Sequence, residues 1–529
     1  MNKFFTLLKV TVNDIFLSDA GSTKKNKKRV SAGTGFQICM MMLVGLLLAF
    51  NAYTLGQESM DINTYPFLIS IGMAYSCVII LMLGVFKVPT YLYAFKDYDR
   101  LMSLPFTSAQ ILASKLAALY ISNFIYAAAF TTGYLISCGV LMGAGAGYYI
   151  MSVVSLLFIP MFPTVIGAVL GIILGWITKA TGNSRVVKIV SSVVMMVAVM
   201  FVAFTIGFSP SMDADALASV YGIADKINFP ALLIKRALVG GDVLSFILFI
   251  AAETAMFIAF CLIFSGSFKK INAAMSCKGK GKKFEMTELK TSSRFAAVYK
   301  KELSGYFSNT NYFLNTAMGY IMLLIFAVAA MFVDIKGFTE HIGIYPECIL
   351  LVIFLFCEMM SSITSPSVSL DAPYLWIYMS SPLSAKDIVK AKLLMALTIT
   401  LPSTIVACAV ISFAVGLAPL KAVALICAAA ASGVFAQVFG MWLSLKMPKL
   451  DWTNEITVIK QSGAVAIAVL GGMAISLVTG VPAVVLGLIF PEYSYVVIFA
   501  IFILYALFCA VFYAIINKTC VKRFNNLYG

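Results

Sequence analysis

"MSLPFTSAQILASKL" occupies residues 102–116 and "MSSPLSAKDIVKAKL" residues 379–393, and the two align without a gap at an offset of 277. Six positions are identical: Met102/Met379, Ser103/Ser380, Pro105/Pro382, Ile111/Ile388, Lys115/Lys392 and Leu116/Leu393. Pro105 and Pro382 bias Leu104 and Ser381 away from the helical region. Thr107 or Ser108, and Ser384, are suited to cap the helix that follows. Each copy reads as a short amphipathic helix, a turn and the start of a long apolar helix.

The surroundings of the two copies set the fold class. The chain has 529 residues, 61% hydrophobic and 12% charged, with a mean hydropathy of +0.97. Soluble domains carry about 25% charged residues, so this apolar excess has the bilayer as its solvent. Continuous apolar runs long enough to span about 30 Å of hydrocarbon recur throughout. Their lack of two-residue alternation excludes a β-barrel. The reading is an all-α polytopic membrane protein.

Apolar runs predict twelve spans, near 36–52, 66–87, 107–140, 148–177, 187–208, 243–266, 313–333, 347–366, 393–416, 421–445, 463–482 and 493–517. Pro160 and Pro163 predict a kink or a break in the fourth. With the N-terminus inside, 33 of the 38 Lys and Arg residues fall in cytoplasmic segments, as the positive-inside rule requires. Both termini are then cytoplasmic. The net charge of +15 reflects juxtamembrane residues facing anionic lipid, and no aromatic platform among them suggests nucleic acid. The eleven cysteines imply no disulfide framework, and the first apolar run reads as a retained span, not a cleaved signal.

The repeat falls between the second and third spans and again between the eighth and ninth. Six spans is an even number, so two six-helix repeats run parallel, related by an axis along the membrane normal. The polar stretch 267–312 carries ten Lys and Arg residues and joins the repeats, giving domains 1–270 and 271–529. A short cytoplasmic helix displayed twice is placed to be gripped by two copies of one partner. A helix lying on lipid headgroups is the competing reading.

The chain resembles a type-2 ABC transporter permease, of the fused double-length kind found in Gram-positive bacteria. "YAFKDYDRLMSLPFTSAQILASKL" at 93–116 resembles the family's first cytoplasmic loop, and "SLDAPYLWIYMSSPLSAKDIVKAKLL" at 369–394 its second-half partner. "VYKKELSGYFSNTNYFLNTAMG" at 298–319 is similar to the elbow helix that leads into a first span, and "MPKLDWTNEITVIKQS" at 447–462 to a loop of the second half. "FFTLLKVTVNDIF" at 4–16 stands where the first-half elbow belongs. The resemblance implies an exporter of the bacterial cytoplasmic membrane, powered by two copies of a separate ATPase that binds the ATP. It also implies that coupling loops dock that ATPase through Asp97, Asp99, Arg100, Ser103 and Pro105 in the first half, and Asp371, Trp376, Ser380 and Pro382 in the second. No Gly-x-x-x-x-Gly-Lys-Ser/Thr is present to cradle phosphate, so ATP hydrolysis, catalytic residues and cofactors are expected on the partner, not here.

Ionisable or amide groups inside spans are functional candidates because they are expensive in lipid. Glu253, Glu358 and Gln437 are these, as pathway residues or as helix ties. Glu358 precedes Ser361, Ser362, Thr364 and Ser365, which could line a cavity or bind helices together. His341, the one histidine, lacks ligand spacing and reads as solvated, as do Asp213 and Asp215. The transported substrate is not legible. The alternative to an ABC exporter is an ion-coupled secondary transporter of major-facilitator type with two six-span halves. A non-transporting membrane protein of the same fold is a third.

Overall fold

The computed structural model describes residues 3–20, 65–88, 98–180, 229–276, 293–332, 345–452 and 455–525, with isolated positions between them and parts of 41–57 and 189–197. Expectations for Asp97, Asp213, Asp215 and His341 fall outside the described residues. The chain divides into two compact units, Met1–Lys282 and Lys283–Gly529.

In the first unit, α1 (Lys3–Ala20) precedes the apolar α2 (Tyr65–Val88), the short α3 (Tyr98–Met102) and the long α4 (Ser108–Leu141). Thr107 caps α4: its hydroxyl accepts from Gln110 N while Gln110 Oε1 accepts from Thr107 N, a reciprocal capping box. A turn with Gly143 at φ +60°, which glycine adopts without a Cβ penalty, leads into α5 (Ala146–Phe158) and α6 (Met161–Ala180). The interruption lies at Ile159 and Pro160, where proline cannot donate to the helix ladder. Then come α7 (Phe229–Gly240), α8 (Val243–Ser265) and α9 (Phe268–Ser276). Residues 229–240 lie between the predicted fifth and sixth spans. There α7 buries Ala231, Leu233, Ile234, Ala237 and Leu238 and packs against α8 and α2.

The second unit begins with α10 (Arg294–Ser308), α11 (Thr310–Thr316) and α12 (Met318–Ala329), the last two bent by 56°. After α13 (Pro346–Met359) the helix stops, and α14 (Ser367–Leu370) resumes beyond a non-helical piece. A 3-10 turn at Ala372–Tyr374 leads to α15 (Leu375–Ser380), and α16 (Ala385–Val415) follows. Ser384 caps α16 by accepting from Asp387 N at 3.1 Å. The unit ends with α17 (Pro419–Lys446), α18 (Glu455–Gln461), α19 (Gly463–Ile489) and α20 (Ser494–Asn525). Its core centres on Leu351, Phe354, Leu355, Leu425, Phe435 and Tyr505, contributed by α13, α17 and α20. Close approach of helices relies on small residues: a Cβ on Gly319 of α12 would collide with the Cys357 carbonyl of α13.

Among the described residues, seven helices are long and apolar enough to cross a membrane, and the bent pair α11–α12 makes an eighth. No strand occurs among them. The molecule is an all-α polytopic membrane protein. The predicted span at 347–366 is helical only to Met359, for reasons that lie in the site described next.

Candidate functional site

In the second unit, the amphipathic α10 buries one stripe, Val298, Glu302 and Tyr306, at the four-residue spacing of one helical face. An acid in that stripe must be paired. Lys392, eight residues past the cap of α16, places its Nζ 2.8 Å from Glu302 Oε2 and also on Asp371 Oδ2. Lys301 reaches Glu302 Oε1 at 3.0 Å and Asp371 Oδ1 at 2.7 Å. Tyr378 of α15 donates to Glu302 Oε1 at 2.6 Å, and the Lys392 ammonium donates to Ser367 O at 3.4 Å. Two ammonium groups thus meet two carboxylates, and four segments are bound together: α10, α14 with the turn after it, α15 and α16. Burial alone would raise the Glu302 carboxyl, but the charges of Lys392 and Lys301 and their hydrogen bonds outweigh it and hold it at about 2. Burial, then the nearby Asp371 and Glu302 charges, push the Tyr378 phenol well up.

The first unit repeats this construction with different groups. Lys115, eight residues past Thr107, is buried and donates to Tyr91 O at 3.2 Å, with its Nζ 4.4 Å from the Tyr91 ring centre. Tyr91 OH donates to Thr11 O at 2.9 Å, on α1. Setting Phe4 opposite Phe295 aligns Leu7 with Val298 and Thr11 with Glu302, and all four of these last residues are buried. In each unit the repeated lysine therefore fastens the backbone ahead of the short helix to the amphipathic helix. The repeated lysine thus lies at an internal joint in each unit.

The other loop residues are placed differently. Asp371 is buried within the charge cluster. Trp376 and Ile377 are exposed on α15, with Tyr374 just before them, while Leu375 and Tyr378 face inward. Ser380 and Pro382 are exposed, and Pro382 O accepts from Arg294 Nη1 at 3.4 Å. Ser103 and Pro105 are exposed at the turn after α3, and Asp99 and Arg100 lie within α3.

Inside the second unit, α13 ends at Met359 and the polar run 361–369 is buried without forming one continuous helix. Irregular backbone at that depth requires partners. Gln437 of α17 supplies four contacts. Its Oε1 accepts from Ile363 N at 2.9 Å and Thr364 N at 3.3 Å, and its Nε2 donates to Tyr320 OH at 2.9 Å and Ser361 O at 3.0 Å. Tyr312 OH donates to Ile363 O at 2.6 Å, and Ser361 Oγ accepts from Gly319 N at 2.7 Å. Gln437 is thus a helix tie that holds a break open.

Glu358 ends α13 beside this break, fully buried. Its Oε2 contacts Ser432 Oγ of α17, while Oε1 has no partner. The Thr404 hydroxyl of α16 approaches the same carboxyl as a second hydrogen-bonding group. A Cβ on Gly433 would lie 3.4 Å from Glu358 Oε1, so the carboxyl packs directly against α17. Glu253 of α8, in the first unit, accepts from Phe162 N at 2.8 Å through Oε2. It meets the amide end of α6, where a helix favours negative charge.

A family model described as "Membrane protein of 12 TMs" matches residues 31–513. The chain belongs to that family. No curated protein and no solved structure matches it. The residues outside the match, 1–30 and 514–529, include α1 and the end of α20.

Sequence reading of this 12-TM protein missed Glu302, whose signal was an acid four residues from Val298 and from Tyr306 on the apolar stripe. It also missed Glu347 at the start of α13, which is buried and binds Lys421 Nζ at 2.5 Å and Ser494 Oγ at 2.6 Å. That pair borders a cavity of about 420 Å³ that Lys336, Tyr345 and Leu417 also line.

Proposed function

We propose that this 12-TM protein is the membrane-spanning permease of an ATP-driven exporter in the bacterial cytoplasmic membrane, worked by two copies of a separate ATPase. One observation carries the reading: α15 and the turn before it present Tyr374, Trp376 and Ile377 outward while the charge cluster fixes the inner side of α15 to α10 and α16. A partner pushing on that exposed apolar edge would move α16, a 31-residue helix, as a lever. The paired copy in the first half, around α3 and Lys115, offers a second point of attachment. The energy would come from hydrolysis on the partner, and the substrate would move through helices this chain supplies.

Ion-coupled transport by two six-span halves is the second reading, and the buried carboxyls of Glu253 and Glu358 favour it. The experiment that separates the two is purification from native membranes followed by reconstitution. Under the first reading a Walker-type ATPase co-purifies at two per chain, and Trp376→Ala with Ile377→Ser cuts that recovery at least tenfold without changing thermal stability. Substrate export from vesicles that respond to an ion gradient and contain no ATPase would sink it.

A further inference from the structure

The Glu358 carboxyl has a hydrogen-bond arrangement that suits its protonated state. Ser432 has a single hydroxyl hydrogen, and its Oγ faces two acceptors, Ala429 O at 2.8 Å and Glu358 Oε2. If Glu358 were ionised, that hydrogen would serve both oxygens, and one short O···O contact would hold no proton. If Glu358 carries the proton, Oε2–H donates to Ser432 Oγ, and Ser432 donates to Ala429 O. Both contacts of Ser432 Oγ then carry a proton.

The surroundings agree. Glu358 forms no ion pair with a described residue. The titratable groups that face it are Tyr320 from α12, Cys408 from α16, Tyr505 from α20 and Cys357 on its own helix. None is cationic. Oε1 makes no hydrogen bond of normal geometry, and the further side chain that approaches the carboxyl is the neutral hydroxyl of Thr404 on α16. A buried anion in that setting is far more costly than a neutral carbonyl oxygen. Glu358 also sits in the last turn of α13, where the carbonyl end of a helix opposes negative charge.

We propose that Glu358 is a proton-binding site within the membrane, loaded when α13, α16 and α17 are packed together and unloaded only when water reaches it. Proton release is thereby linked to separation of α13 from α16 and α17, next to the break that Gln437 holds. The proposal rests on the second unit's geometry and not on the partner ATPase, so either can fail alone.

The test is infrared spectroscopy of the purified full-length chain in lipid nanodiscs at neutral pH. The expected result is a protonated-carboxyl C=O band that shifts down in D2O and loses the area of one carboxyl in Glu358→Gln. The Gln amide can donate to Ser432 as the acid does, so that variant should fold. Ser432→Ala serves as a second probe: it removes the proton's acceptor and should move the same band to higher frequency. Identical spectra for all three chains would overturn the proposal. So would thermal stabilisation by NaCl over N-methylglucamine chloride that Glu358→Gln abolishes, since the site would then hold a metal cation.

Discussion

Lys392 Nζ lies 2.8 Å from Glu302 Oε2, joining residues 90 positions apart, and both side chains are almost wholly buried. With Lys301 and Asp371 the cluster holds two charges of each sign, so removing any one leaves an uncompensated charge. Breaking a buried pair costs about 3–5 kcal/mol, whereas replacing both partners with apolar groups is often neutral. Glu302→Gln and Lys392→Met should each lower the thermal stability of the purified protein by that order. The double variant Glu302→Leu/Lys392→Met should recover most of the loss, because Lys301 and Asp371 still pair at 2.7 Å. Single losses under about 1 kcal/mol, the value of an exposed pair, would mean that water enters the cluster.

The same carboxyl gives the protein an acid-sensitive joint. Glu302 is held at about 2, below its ordinary 4.5, where Lys392 and Lys301 outweigh the effect of burial. A depressed folded-state value means the unfolded chain binds the proton more readily. The stabilisation is therefore complete above about pH 4.5 and is lost as the pH falls from there towards about 2. The full effect is at most about 3 kcal/mol. Melting curves across that window should fall steeply for the native chain and less steeply for Glu302→Gln. Parallel curves would mean that Glu302 is not the group responsible.

Local rules made one level of this fold legible and left the next one dark. Thr107 and Ser384 as caps, the prolines after the short helices, and the amphipathic stripe of α10 were all readable, because each depends on residues within a turn or two. The partners of Glu302 lie 70 and 90 positions away in Asp371 and Lys392, and no periodicity carries that information. Lys115 and Lys392 were visible as a repeat, but their burial was not, since a lysine near the end of a predicted span looks the same facing lipid headgroups or facing inward. The break after Met359 was masked in a similar way. Ser361 to Ser367 read as the polar end of a span until Gln437 and Tyr312, from other helices, supplied the hydrogen bonds that let the backbone leave the helix.

Gln437 should therefore be far less replaceable than its neutral charge suggests. Gln437→Leu would remove the acceptor of Ile363 N and Thr364 N and the donors to Ser361 O and Tyr320 OH. Ser361 O and Tyr320 OH would still bond each other at 3.1 Å, but the Ile363 and Thr364 amides would be left without a partner, at about 1–3 kcal/mol each. Gln437→Glu keeps an acceptor for the two amides and loses the donors, so its loss should be intermediate. Size-exclusion profiles of detergent extracts would rank the chains by the monodisperse fraction, native above Glu above Leu. If Leu matched the native chain, water would be filling the break in place of the side chain. The segment 361–366 would then be a hydrated part of the pathway, not a sealed joint.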